Sequence, residues 1–204
     1  MLEARVKKRR FGVEEYHRMA EAGIFGEDDR VELADGEIVE MTPIGWRHVR
    51  AVTVLTQLLA GALPDYFVSV QNPVVFGERD ERQPDLALVR AEALEGALPR
   101  AGDVALVVEV AETSLSYDRE VKVPLYARFG VPEAWVVDLV AGAIEVYASP
   151  EASPAVSSEA WPATPGSSGR YAYARTFGRE EELRPFTVAD LRFAVRDVIG
   201  RERG

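Results

Sequence analysis

The stretch Val104-Ala-Leu-Val-Val-Glu-Val-Ala111 is apolar at every position but one. A run of this length, rich in valine, reads as a central strand buried on both faces. Its exception is Glu109. By strand alternation Glu109 shares a face with Val107 and Ala111, while Val108 and Val110 point the other way. An ionised carboxylate in such a strand is costly unless a cation or a metal accompanies it. The chain must therefore fold so that positive charge reaches Glu109. A second acid, Asp85, opens another strand-like run, Asp85–Val89, directly after Pro84. Two carboxylates at neighbouring strand ends make a hard-oxygen site suited to magnesium or manganese.

The rest of the pattern predicts the frame around these acids. Val13, Tyr16, Met19 and Ala20 recur at helical spacing and Gly23 follows as a stop, which predicts a helix over 13–23. Alternation on both sides of Asp35-Gly36, from Arg30 to Met41, predicts a β-hairpin. A second helix is expected from His48 to about Leu63. Strands are expected at 66–70, 74–76, 85–89, 104–111, 134–138, 143–147 and 171–176. A helical piece is expected over 119–129, and a terminal helix from Val188 to Ile199. This order indicates an α/β (α+β) domain around one mixed sheet flanked by helices. Ser, Pro, Ala and Gly dominate residues 149–170, which read as a loop or insertion.

Composition narrows the function classes. With 204 residues, one domain of moderate size is expected over 13–204, preceded by a basic arm over 1–12. The absence of cysteine excludes disulfides, zinc–thiolate sites and cysteine nucleophiles, and fits a cytoplasmic location. No stretch has the length of a membrane span or a signal sequence, so no membrane partner is expected. The net charge of −10 argues against a broad basic face for nucleic acid. The first ten residues run against that trend, with five bases (Arg5, Lys7, Lys8, Arg9, Arg10) against the single acid Glu3. Neither a GxSxG elbow nor a phosphate-cradling glycine loop is present.

Several further side chains are candidates for the Glu109 site. Lys122 follows a loop carrying Thr113, Ser114 and Ser116. It lies four residues after Asp118, so a helix would put the two on one face, with Asp118 orienting the lysine. Lys122 could counter a phosphate charge or polarise an attacking water. His48 opens the second helix and could approach the metal or a phosphate. Glu32 and Glu40 flank the hairpin turn and could face each other across it, where like charges repel unless a cation bridges them; Glu32 is the preferred extra carboxylate. His17 is expected to have no catalytic role, and Tyr126 and Trp135 are expected to be packing residues. Pro124 requires the helix to begin near Glu120 or Val121, or to kink.

The ordered set Pro84-Asp85, Glu109-Val110-Ala111 and Lys122 resembles the PD-(D/E)XK nuclease superfamily. Within it, the chain looks most like the Uma2 group of restriction endonuclease-like proteins, formerly DUF820. The resemblance runs from about residue 13 to 148 through Val31–Met41, His48, Gln83–Val89, Leu106–Val110, the Ser114, Asp118, Lys122 and Tyr126 series, and Gly130–Asp138. It implies a restriction endonuclease-like mixed sheet with an N-terminal helix and hairpin. It also implies catalysis by Asp85, Glu109, Lys122 and His48, with Glu32 and Asp118 in support. Asp85, Glu109 and the Val110 carbonyl would hold magnesium or manganese. The implied activity is DNA phosphodiester hydrolysis, with a homodimer where both strands are cut. One departure stands out: the position two after Glu109 is Ala111, and the lysine has moved to Lys122. An inert member of the same fold, used for binding or assembly, is the competing expectation.

Overall fold

The computed structural model describes residues 8–26, 28–151 and 169–200. Helix α1 spans Val13–Glu21, and the hairpin strands β1 and β2 span Val31–Ala34 and Glu37–Glu40. Asp35 and Gly36 both take positive φ, 45° and 77°, as a two-residue hairpin turn of this hand requires. A side chain at Gly36 would also collide with Arg10, its Cβ falling 2.7 Å from that of the arginine. Helix α2 covers Trp46–Leu59. It begins two residues before the expected start and stops short of Leu63, because Ala60 turns to extended backbone and Gly61 adopts a φ of 73°.

Strands β3 (Tyr66–Val70), β4 (Val74–Gly77), β5 (Asp80–Arg82), β6 (Leu86–Arg90) and β7 (Val104–Ala111) follow. The chain then passes through a short turn α3 (Leu115–Tyr117), a π-helical turn (Asp118–Lys122) and α4 (Val123–Arg128). Strands β8 (Glu133–Asp138), β9 (Ala143–Pro150), β10 (Tyr171–Phe177), β11 (Glu182–Leu183) and β12 (Phe193–Ala194) lead to α5 (Val195–Ile199).

The main sheet has six strands in the order β10-β9-β8-β7-β6-β3. Only the β7–β8 pair is parallel, so the sheet is mixed, as expected. The expectation of one sheet needs correction. The hairpin joins β4 and β5 in a separate four-stranded sheet, ordered β2-β1-β5-β4. β5 escaped notice because its three residues, Asp80-Glu-Arg82, are all charged although all are buried.

The main sheet is covered on both faces. Leu106, Val108 and Val110 of β7 join one apolar cluster with Leu55 and Leu59 of α2 and Val198 of α5. Val107 joins a second cluster with Phe76, Tyr126 and Val131 on the other face. Glu109 is 3% exposed on that second face, where its charge is poorly solvated.

The terminal helix is shorter than expected, five residues rather than twelve. Thr187 donates both its amide and its hydroxyl to Oε2 of buried Glu133, each at 2.8 Å. Phe193 then packs on Trp135 with ring centroids 5.9 Å apart. Together these contacts hold 187–194 against the sheet as a turn, closed by the Leu191 amide on the Val188 carbonyl, that leads into β12. Trp135 is itself more than packing, since Nε1 donates to Glu133 Oε1 at 2.7 Å.

Most of the expected 149–170 loop, and residues 1–7 of the basic arm, lie outside the described residues. The described part of the arm is tied to the hairpin: Arg10 pairs with Asp35 and Glu37, and Lys8 approaches Glu37 at 3.9 Å. Among the described residues, no helix is long and apolar enough to cross a membrane.

Candidate active site

The antiparallel register pairs Leu86 with Val108, which brings the residue before β6 beside the end of β7. Asp85 therefore meets the Glu109-Val110 segment. Val110 donates its amide N–H to Asp85 Oδ2 at 2.8 Å, and this amide is its contact with the site. The other oxygen, Oδ1, lies 3.0 Å from His48 Nε2 and accepts from Gln71 Nε2 at 3.2 Å. Gln71 turns back toward Asp85 through a positive φ of 52°. His48 comes from the first turns of α2 and is buried; its Nδ1 has no hydrogen-bond partner among the described residues.

Glu109 is held from the other side by the helical segment after β7. Lys122 Nζ lies 3.0 Å from Glu109 Oε2 and 3.8 Å from Asp118 Oδ1. Ser114 in turn donates its hydroxyl to Asp118 Oδ2 at 2.6 Å. The geometry that allows this is local. Pro124 has no N–H and would clash with the carbonyl four residues before it in a regular helix. The chain absorbs it with the π turn at Asp118–Lys122, leaving Pro124 in the first turn of α4. That wider turn carries Asp118 and Lys122 inward, and both are buried.

Tyr126, expected only to pack, and Arg82, which the sequence pattern did not mark, complete the surroundings. Tyr126 donates its hydroxyl to Glu109 Oε1. It stands one helical turn beyond Lys122, so the four-residue spacing carried the signal. Arg82, 2% exposed, reaches Glu32 Oε1 at 3.0 Å, Tyr117 Oη at 2.8 Å and Asp80 Oδ1 at 2.9 Å. It sits in the charged run Glu78–Arg82, which resembles an ordinary solvated loop. Glu32 is likewise buried. It faces Val39 across the hairpin, while Glu40 pairs with Val31, so the expected Glu32–Glu40 opposition does not occur. His17 lies apart from this site and meets Glu81 at 2.6 Å.

The electrostatics follow from four buried carboxylates gathered around few cations. Burial, with Asp118 and Asp85 nearby, outweighs Lys122 and pushes the Glu109 carboxyl up to about 8. Burial also raises Asp118, with Lys122 and Ser114 opposing. Asp85 behaves differently: burial pushes it up, but His48, Val110 and Gln71 together hold it below its ordinary value. For Lys122, burial favours the neutral amine, yet Glu109, Glu32 and Asp118 hold it well above its ordinary value, so it stays an ammonium.

Asp85, Glu109, Val110, Lys122, His48, Glu32 and Asp118 all line one pocket of about 310 Å³. Among the described residues, no three His, Asp or Glu side chains are grouped closely enough to hold an ion unaided. The donor chemistry still fits a hard cation. Magnesium is ordinarily held by one or two carboxylates and completes its shell with water and substrate oxygens.

A family model described as "Putative restriction endonuclease", Uma2, matches residues 13–170. The chain belongs to the Uma2 family. The match spans every pocket residue above, from Glu32 to Lys122. A solved structure described as a "putative nuclease belonging to DUF820", from Anabaena variabilis ATCC 29413, is similar with a TM-score of 0.65. That likeness covers 93% of this chain and 97% of the other at 10% identity, and so concerns the fold. No curated protein matches this Uma2 chain in sequence.

Proposed function

We propose that this Uma2 protein is a divalent-metal-dependent nuclease that hydrolyses phosphodiester bonds in DNA. The observation that carries this reading is the meeting of Asp85, Glu109 and Lys122 in one buried pocket, with the lysine 3.0 Å from the glutamate. Asp85 and Glu109 would hold magnesium or manganese, with the Val110 carbonyl as a further oxygen donor. When bound, the ion supplies Lewis-acid stabilisation of phosphate charge and a water of lowered pKa.

The chain's own residues have separable tasks. Lys122, kept protonated by its acidic neighbours, faces the pocket with ammonium hydrogens to offer a phosphate oxygen. Asp118 and Ser114 fix where that ammonium sits. His48 and Gln71 set the orientation of Asp85, and Tyr126 sets that of Glu109. Their burial removes competing water, so each of these interactions acts in a medium of low dielectric. Hydrolysis adds water across one P–O bond and leaves a phosphate monoester and a free hydroxyl. Cutting both strands of a duplex would call on a second copy of the chain, which native mass spectrometry would reveal as a homodimer.

The test is cleavage of DNA by the purified protein with and without magnesium, beside Asp85→Ala and Glu109→Ala. Magnesium-dependent cleavage that both substitutions abolish supports the reading; cleavage unchanged in both variants sinks it. One observation favours the second reading, an inert binding or assembly module: all four carboxylate oxygens of Asp85 and Glu109 already have protein partners. A metal titration separates the two. A working site gains thermal stability with millimolar magnesium or manganese, and an inert one does not.

A further inference from the structure

We infer that the pocket admits a single unpaired nucleotide, so that the substrate of the proposed nuclease is single-stranded DNA rather than an intact duplex. This inference rests on the hydrolase reading and narrows its substrate. The first ground is depth. Glu109 is 3% exposed, Lys122 7% and Asp85 8%, so the groups that would meet the phosphate are almost fully covered where they line the pocket. A phosphate on a free strand reaches such covered groups more readily than one held on the outside of a rigid duplex.

Size is the second ground. A volume of about 310 Å³ suits one nucleotide, at the small end of ligand pockets, which run from about 300 to 1,000 Å³.

The third is the chemistry of the remaining wall. Beyond the acids and Lys122, β2 and the loop after it contribute an apolar stretch, Val39, Met41, Pro43 and Ile44, interrupted by Thr42, and polar residues such as Arg30 and Tyr117 complete the lining. An apolar wall has no use for a phosphodiester backbone, but it matches the flat face of a base. Bases are available to such a wall only when they are unpaired and unstacked. Packing of base faces against protein tolerates any sequence.

Charge agrees. Duplex and single strand both draw affinity from neutralised phosphates, the duplex with the steeper dependence on them, and a chain of net charge −10 has little to offer there. The described bases nearest the N-terminus, Lys8, Arg9 and Arg10, already face Glu37, Glu15 and Asp35.

The experiment compares a labelled 20-nucleotide single strand with its blunt duplex. Binding is read by fluorescence anisotropy in calcium, and cleavage in magnesium or manganese. The wild-type protein is set beside Ile44→Asp and the milder Ile44→Ser, whose folding is checked by thermal melts; Ile44 is 39% exposed. The expected result is single-strand binding at least about tenfold tighter than duplex binding, faster single-strand cleavage, and a loss of that preference in the Ile44 variants. Equal binding and cleavage of the duplex would overturn the inference and leave the nuclease reading intact. Single-strand preference without cleavage would uphold the pocket's specificity and overturn the hydrolase reading. Absence of both binding and cleavage would overturn both.

Discussion

Lys122 Nζ sits 3.0 Å from Glu109 Oε2, and both side chains are buried. The pair answers the problem that the β7 strand poses, since the ammonium is the cation that makes a carboxylate tolerable among valines. Removing one partner leaves an uncompensated buried charge, which costs about 3–5 kcal/mol. Lys122→Met is therefore expected to lower stability by about that amount in urea denaturation above pH 8, where Glu109 carries its charge. The double variant Lys122→Met, Glu109→Gln is expected to recover most of the loss, and neither is expected to cut DNA.

The raised Glu109 carboxyl predicts how metal-free protein responds to pH. Its ordinary value is 4.5 and its folded value is about 8. A group whose pKa is raised by folding stabilises the fold fully below the lower value and loses that contribution as pH rises through the upper one. Metal-free protein should thus lose stability between about pH 4.5 and pH 8, on the order of a few kcal/mol. Glu109→Gln should flatten that slope, and magnesium should oppose it at pH 8. Thermal melts across pH, with chelator or metal, measure all three.

Arg82 ties Glu32 of β1, Asp80 of β5 and Tyr117 of α3 into one buried group. Arg82→Met removes the charge that two buried acids face, and should cost about 3–5 kcal/mol by chemical denaturation. Arg82→Lys should recover only part of this, because a single ammonium cannot span three partners as the guanidinium fork does.

Tyr126→Phe deletes one hydroxyl and leaves Glu109 Oε1 buried without its donor. The expected loss is about 1–3 kcal/mol. Activity should fall through kcat rather than KM, because the change frees the orientation of Glu109 and leaves the pocket wall intact. Steady-state kinetics on a DNA substrate separates the two parameters.

Much of the fold was legible because β7 and the Asp35-Gly36 hairpin carry strong local patterns. The valine run could only be a buried strand, and Asp-Gly between alternating segments could only be a turn. Where tertiary contacts overrode local pattern, the reading slipped. Residues 188–194 have helical spacing but form a turn and the short strand β12 instead, anchored by Thr187 on Glu133 and Phe193 on Trp135. β5 is a buried strand of three charged residues, so hydropathy argued against it. At the site, Glu109 announced its need for a cation, and Asp85 and Lys122 followed from spacing. Arg82 gave no such warning, since its burial depends on Glu32 and Asp80, which meet it only once the second sheet has formed. Pro124 looked like an obstacle to Lys122, and the π turn that resolves it has no sequence signature.

The most direct measurement is anomalous diffraction from crystals soaked in manganese. One site is predicted, with the ion within coordinating distance of both the Asp85 and Glu109 carboxylates and with Lys122 still beside Glu109. Manganese bound elsewhere, or a pocket in which Asp85 and Glu109 keep only their protein partners at saturating metal, would contradict a shared metal and phosphate site.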